Sequence, residues 1–310
     1  MFGNIAVVTQ KFHIMMKPPT GSTFRLLPPF THLSKGTFAL LLMALLSVLS
    51  LDFISAQATL CAQLGGLTYT PLVSDPNITT IYTSDLPQVT YLNQRILIRG
   101  NQTLVVNSRF ALIGCKLKME PGSAIRVRST SQVFTAANCK FFSCGGMWAG
   151  MFIDGPAGPH AVNLTASHIE DARTAITIGH QFTNVLVKRC VINRNDVGIA
   201  ATGHKIKLIA TGNLFDCSSP MNDGSTRSTA AVKLQECPSA TIGVVGNDIT
   251  QRNTFKNQTT GISAANSLFI VGLATVELCI AGIQADACQV TVLSLSNVAR
   301  NLFKDNFMDI

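Results

Sequence analysis

Four carboxylates carry the clearest potential for chemistry. Glu170 and Asp171 are adjacent, Asp196 follows Asp171 by 25 positions, and Asp154 lies upstream of the pair. Hydrolysis of a glycosidic bond uses two acids at a defined separation, one protonated and one ionised. For calcium, Asp216 with Asp223 is the nearest approach to a ligand set. No alternation of Asp and Gly like that of an EF-hand or nonapeptide loop surrounds them, so an ordinary surface loop is the preferred reading. His160, His168, His180 and His204 lack i, i+4 pairing and lack Ser and Asp partners in a recognised order. Trp148, the single tryptophan, stands in Gly-Gly-Met-Trp-Ala-Gly. It can stack on a sugar, but packing within a wall of the fold is the favoured role.

These acids can meet only if positions about one such interval apart share a face, and the sequence contains a period of that length. Small–apolar pairs recur at Ala124-Ile125, Gly150-Met151, Ala175-Ile176, Gly198-Ile199, Ala231-Val232, Gly261-Ile262 and Gly282-Ile283, at steps of 21 to 33 residues. A second series reads Cys115-x-Leu117, Cys139-x-Phe141, Ser167-x-Ile169, Cys190-x-Ile192, Asn213-x-Phe215, Asn253-x-Phe255, Val276-x-Leu278 and Asn301-x-Phe303, at steps of 23 to 40. Two series keeping nearly one step imply a stacked array.

The local period says which array. Val185–Val187, Ile206–Ile209, Ile242–Val245 and Val290–Leu293 are short, rich in β-branched residues and bounded by Gly, Asn or Ser, as strands are. No window of a dozen residues carries a capped helical stripe, and the Leu-x-x-Leu-x-Leu ladder of leucine-rich repeats is missing. A unit of about 23 residues with three short strands predicts an all-β, right-handed parallel β-helix of roughly eight to ten coils. Its inward residues include Leu117, Phe141, Ile169, Ile192, Phe215 and Phe255. Asn193, Asn213, Asn253, Asn257 and Asn301 are read as turn residues, since Asn tolerates left-handed backbone and can hydrogen-bond along a stack.

Cys115-Lys-Leu-Lys-Met-Glu-Pro-Gly-Ser-Ala-Ile-Arg-Val127, Phe142-Ser-Cys-Gly-Gly-Met-Trp-Ala-Gly-Met-Phe-Ile153 and Ser167-His-Ile-Glu-Asp-Ala-Arg-Thr-Ala-Ile176 together resemble secreted bacterial surface proteins of the pectin-lyase-like β-helix class. As architecture the resemblance covers about 95–310; at motif level it covers about 110–178 and concerns coil geometry. It implies that any enzymatic activity would be polysaccharide cleavage, by carboxylates on one coil face or by calcium with an Arg or Lys base. Gly203-His204-Lys205-Ile206-Lys207 is similar to fragments of the polygalacturonase pattern, with His204 as its imidazole. The Asn-Thr-Asp triplet and double Asp of that pattern are missing upstream. Glu170-Asp171 sits inside the coil motif, where a turn explains it.

The ends read differently. Phe38–Leu51 is a 14-residue apolar run after Lys35, with Ser55-Ala56-Gln57-Ala58 at its exit. This predicts a signal peptide over 1–56, cleaved after Ala56 or Ala58, because the run is shorter than a bilayer span; a retained anchor is the alternative. Met15 and Met16 suit the start better than Met1. Residues 57–93, with Pro71, Pro76 and Pro87, are expected to be an irregular cap, the first strand being Arg95–Ile98, and residues 94–310 the β-helix domain. Residues 218–228 are expected to be a loop leaving the coil wall. Residues 301–310 repeat the coil pattern and stop within a unit, so an incomplete or exposed last coil is expected.

Charged residues are only 13% of the chain, and the net charge is +8. Without residues 1–56, which hold four basic residues and one acid, +5 remains. Lys116, Lys118, Arg126 and Arg128 form a small basic cluster, read as a solvated face. Nothing resembles a nucleic-acid module, and membrane contact is expected only through the export segment. All nine cysteines follow residue 56, without CxxC; some pairing is plausible in an exported protein, and burial is expected for most. The expectation is thus a secreted or cell-surface, non-catalytic scaffold for adhesion or glycan binding. It would use no cofactor unless calcium, with polysaccharide or other surface components as partners. The alternative is a polysaccharide lyase or glycoside hydrolase with a divergent site.

Overall fold

Apolar residues alternate with polar ones over three to eight residues at a time, and each short run ends at a residue able to turn the chain. The computed structural model describes residues 58–128, 133–154, 160–179, 183–203, 207–243, 248–292 and 301–308. The chain passes through three parallel sheets in strict rotation, three strands to a coil, giving sheets of ten, nine and nine strands that we call A, B and C. This is the parallel β-helix that the repeat predicts. Each strand except those at the sheet ends pairs with its counterparts one coil before and after, so the backbone groups of the wall find partners.

Both periodic series become columns. In sheet A, Ile96, Leu117, Phe141, Ile169, Ile192, Phe215, Phe255, Val276 and Phe303 lie opposite one another on successive coils. All but the half-buried Phe303 are buried. In sheet B the column runs Ile81, Leu104, Ile125, Met151, Ile176, Ile199, Val232, Ile262 and Ile283. One anchor is corrected. Val276, and not Leu278, holds the inward place; Leu278 is 38% exposed and turns a corner with φ +55°. The small residue before each sheet B anchor also has a reason. A Cβ on Gly198 would stand 2.4 Å from the Ala231 carbonyl oxygen, and one on Gly261 2.6 Å from that of Gly282.

The corners follow one rule. Before successive strands of sheet A, Asn93, Gly114, Asn138, Ala166, Arg189 and Gly212 adopt positive φ, which Gly and Asn adopt at least cost. The next residue, at 115, 139, 167, 190 or 213, turns inward and bonds along the stack. Cys139 N–H donates to Ser167 Oγ (3.1 Å), Cys190 N–H to Asn213 Oδ1 (2.8 Å), and Asn213 N–H to Asn253 Oδ1 (2.8 Å). Cysteine serves the same position, its Sγ–H donating to a carbonyl of the preceding coil, as Cys115 does to Tyr91 and Cys139 to Leu112. Cys115, Cys139, Cys190, Cys237 and Cys279 are accordingly free and buried, and Cys217 is free and buried at the start of the 217–227 loop.

The N-terminal segment is better ordered than an irregular cap. A helix, Leu60–Leu64, capped by Thr59 Oγ1, packs with Phe142 on the outer side of sheet A. Tyr69 meets Phe142 edge-on, and a Cys61–Cys144 disulfide fastens the segment. The strands Thr70–Pro71, Thr80–Tyr82 and Thr90–Leu92 then pair with the coil after them, adding a rung ahead of Arg95–Ile98. The apolar run at 38–51 lies outside the described residues.

Candidate functional site

The corner rule decides where the acids go. Asp171 is itself a corner residue, with φ +60°, and its counterpart on the next coil is Arg194, with φ +56°. Both Glu170 and Asp171 are fully buried, and Arg194 is 6% exposed. Glu170 Oε2 accepts from Leu60 N–H at 2.5 Å and Oε1 from Asn193 Nδ2 at 3.0 Å. Arg194 Nη2 stands 2.9 Å from Asp171 Oδ1 in ionic contact, but no hydrogen bond of good geometry reaches either Asp171 oxygen. Burial pushes Asp171 up to about 7 against the pull of Arg194, with the nearby Glu170 charge adding to the rise. Burial also raises Glu170, despite the Leu60 amide, Arg194 and Asn193. A raised carboxyl is often a catalytic sign, but this pair is sealed beneath the N-terminal segment, where no substrate atom can touch it.

Asp154 and Asp196 are elsewhere. Asp154 is ion-paired with Arg126 and, at 3.7 Å, with Arg128. The expected basic cluster is thereby divided, because Arg126 belongs to a sheet B strand while Lys116 and Lys118 belong to sheet A. Asp196 is opposite Arg173, one position before the Thr174–Val197 pair, and its Oδ1 accepts from Thr229 Oγ1. The four acids therefore do not converge on one face.

A different set does. Asp196, Arg173, Gly146, Met147, Asn222 and Asp223 line an open cleft of about 350 Å³. The loop expected over 218–228 occupies residues 217–227, between the strands Leu214–Asp216 and Ser228–Gln235, and forms one wall. Asn222 Nδ2 fastens it by donating to the Ser143 and Gly146 carbonyls at 3.4 and 3.2 Å, while Arg194 reaches Ser219 Oγ and Asn222 Oδ1 from below. Arg173 is exposed and makes no ion pair among the described residues. The cleft thus offers the Arg173 guanidinium as a donor beside two carboxylates as acceptors, while both Asn222 N–H groups are used in fixing the loop.

Asp216 and Asp223, paired in the sequence reading, are separated by role. Asp223 lines the cleft and accepts from Ser225 N–H. Asp216 ends a sheet A strand and accepts from Asn257 Nδ2 and Cys217 N–H, both at 2.8 Å. No group of three or more His, Cys, Asp or Glu side chains suited to a metal occurs among the described residues. Trp148 is buried, stacked on Phe141, with Nε1–H donating to the Glu170 carbonyl. His204 lies outside the described residues. Sequence reasoning missed Arg173 and Asn222. Arg173 had a usable signal, since it precedes Asp196 by the local repeat of 23 residues; Asn222 had none, because a loop carries it.

Compared with protein-family models, curated proteins and solved structures, the chain matches none of them.

Proposed function

We propose that the protein is an exported, non-catalytic scaffold that binds a glycan in the cleft beside residues 217–227. The observation that carries this reading is the mixed donor and acceptor lining: Arg173 to donate, Asp196 and Asp223 to accept, on a wall that Asn222 holds in place. Sugar hydroxyls both give and take hydrogen bonds, and a shallow polar recess on a rigid wall suits them. The buried acid pair adds no chemistry to the cleft, because Glu170 and Asp171 are closed off within the fold. A long stack of coils repeats its surface at each rung, which suits a surface or adhesion role for a linear glycan.

The test is glycan-array and calorimetric binding by the exported protein, alongside incubation with pectin, alginate, chondroitin and arabinan, with and without calcium. Binding that falls at least tenfold in Arg173→Ala and Asp196→Asn, without product release, supports the proposal. Release of reducing or unsaturated ends, abolished by Asp196→Ala, would overturn it in favour of a lyase or hydrolase. Binding unchanged in both variants would remove the cleft from the reading.

A further inference from the structure

The Glu170–Asp171–Arg194 centre holds two buried carboxylates against one guanidinium. Asn193 and the Leu60 amide each bond one oxygen of Glu170, and Asp171 has the Arg194 ionic contact but no hydrogen bond of good geometry. A buried carboxylate without a full complement of charge is costly to keep ionised. One more cation is the group this centre lacks. The position from which it can come is marked by Leu60, whose backbone N–H already points at Glu170 Oε2 from 2.5 Å away. One residue earlier is Thr59, and before it stands Ala56-Gln57-Ala58, the small-residue exit of the apolar run.

We propose that the chain is cleaved between Ala58 and Thr59, and that the freed Thr59 α-ammonium docks against the buried Glu170 carboxylate. This rests on the export reading. A processing peptidase adds water across the Ala58–Thr59 peptide bond, leaving a carboxylate on Ala58 and an ammonium on Thr59. The ammonium then balances the second acid, so that Glu170 and Asp171 face two cations, Thr59 and Arg194. The Cys61–Cys144 disulfide and the Thr59 Oγ1 cap on Ala62 N–H hold the new end in place. Maturation thereby completes an ion cluster that the uncleaved chain can neutralise only by keeping a proton. The same site explains why an acid pair lies under the N-terminal segment and not in the cleft.

Two measurements on protein collected from an exporting host test this. N-terminal sequencing should read Thr59 first; a start at Gln57 or further upstream overturns the cleavage step. Docking is tested separately, by labelling the α-amine and following its titration by NMR after reductive methylation with carbon-13. Docked beside Glu170, the amine labels at least tenfold more slowly in the native protein than in urea. Its pKa stands above the usual value of about 7.7–8.0. Burial without a charge partner would lower that pKa, so the direction separates ion pairing from mere enclosure. Glu170→Gln should return rate and pKa to ordinary values. If that variant does not fold, the native-against-urea comparison on the unaltered protein still decides. Equal labelling in the two states, or a depressed pKa, refutes docking even where Thr59 is the first residue.

Discussion

Val276 and Leu278 are two positions apart, and only one can face the interior. Val276 is 1% exposed, stacked between Phe255 and Phe303, whereas Leu278 is 38% exposed at a left-handed corner. Val276→Ala removes two buried carbons, worth about 1.6 kcal/mol at roughly 0.8 kcal/mol per methylene. A residual void of some 40 Å³ adds about 1 kcal/mol at about 24 cal/mol per Å³. The expected loss is therefore about 2.5 kcal/mol, or a melting temperature lower by roughly 5–10 °C for a domain of this size. Leu278→Ala removes mostly solvated surface and should cost less than about 0.5 kcal/mol. Leu278→Gly relieves the positive φ and should be neutral or stabilising. Because a solenoid can loosen coil by coil, urea midpoints followed by circular dichroism should be joined to amide exchange on Ala274–Glu277. A Leu278→Ala loss equal to or larger than that of Val276→Ala would refute the register and the column built on it.

Gly150→Ala should prevent stable folding at a cost above about 3 kcal/mol, because its Cβ would stand 1.7 Å from the Thr174 carbonyl oxygen at φ +111°. Gly66→Ala, which meets nothing within 4 Å, is the matched control; equal melting temperatures would contradict the coil contact. In a chain whose Thr59 is still peptide-bonded, Asp171 sits at about 7, against roughly 3.9 when unfolded. The native state then binds the extra proton between those values, so stability falls as pH rises from about 4 to 7. Asp171→Asn should flatten that part of the urea-midpoint profile, and parallel profiles would refute the buried acid. Cys61→Ser should cost about 2–5 kcal/mol and speed amide exchange at Leu60, while leaving exchange on the later coils unchanged. Arg194→Met leaves two buried carboxylates without their cation and should cost roughly 3–5 kcal/mol; adding Glu170→Gln and Asp171→Asn should recover much of it, and no recovery would argue against an ionic centre.

The fold was legible because the β-helix core is periodic in sequence as well as in space. Ile125, Met151 and Ile176 in one sheet, and Leu117, Phe141 and Ile169 in another, keep step since each must cover its neighbour. Legibility ended where that constraint relaxes. Leu278 resembles an anchor in type, but the chain already turns there, and the inward place had passed to the smaller Val276. Thr70–Pro71 is a two-residue strand at the end of its sheet, where Pro is tolerated because no donor is needed on the open side. The acid pair was visible as residues, but its burial was not. Burial depends on the segment at 59–69 folding back over sheet A, a contact across 110 positions that no local pattern records. The cleft was half visible: Asp196 and Asp223 were singled out for different chemistries, and the loop at 217–227 joins them in one lining.

Arg194 connects what the sequence keeps apart. From a corner that Asn or Gly would turn at lower cost, its guanidinium meets Asp171 on one side and Ser219 and Asn222 on the other. Asn222 in turn holds the Ser143 and Gly146 carbonyls, on either side of the disulfide half-cystine Cys144. The N-terminal segment, the buried acids and the cleft wall are therefore one bonded network. Any event that alters charge at Glu170 changes the electrostatic hold on Arg194, and with it the anchorage of Asn222 at the cleft. A glycan in the proposed site would lie against a wall whose rigidity depends on that hold. Were the proposed binding present, Glu170 and Asn222 substitutions should affect it non-additively, since Arg194 bonds Asn222 and feels the charge of Glu170.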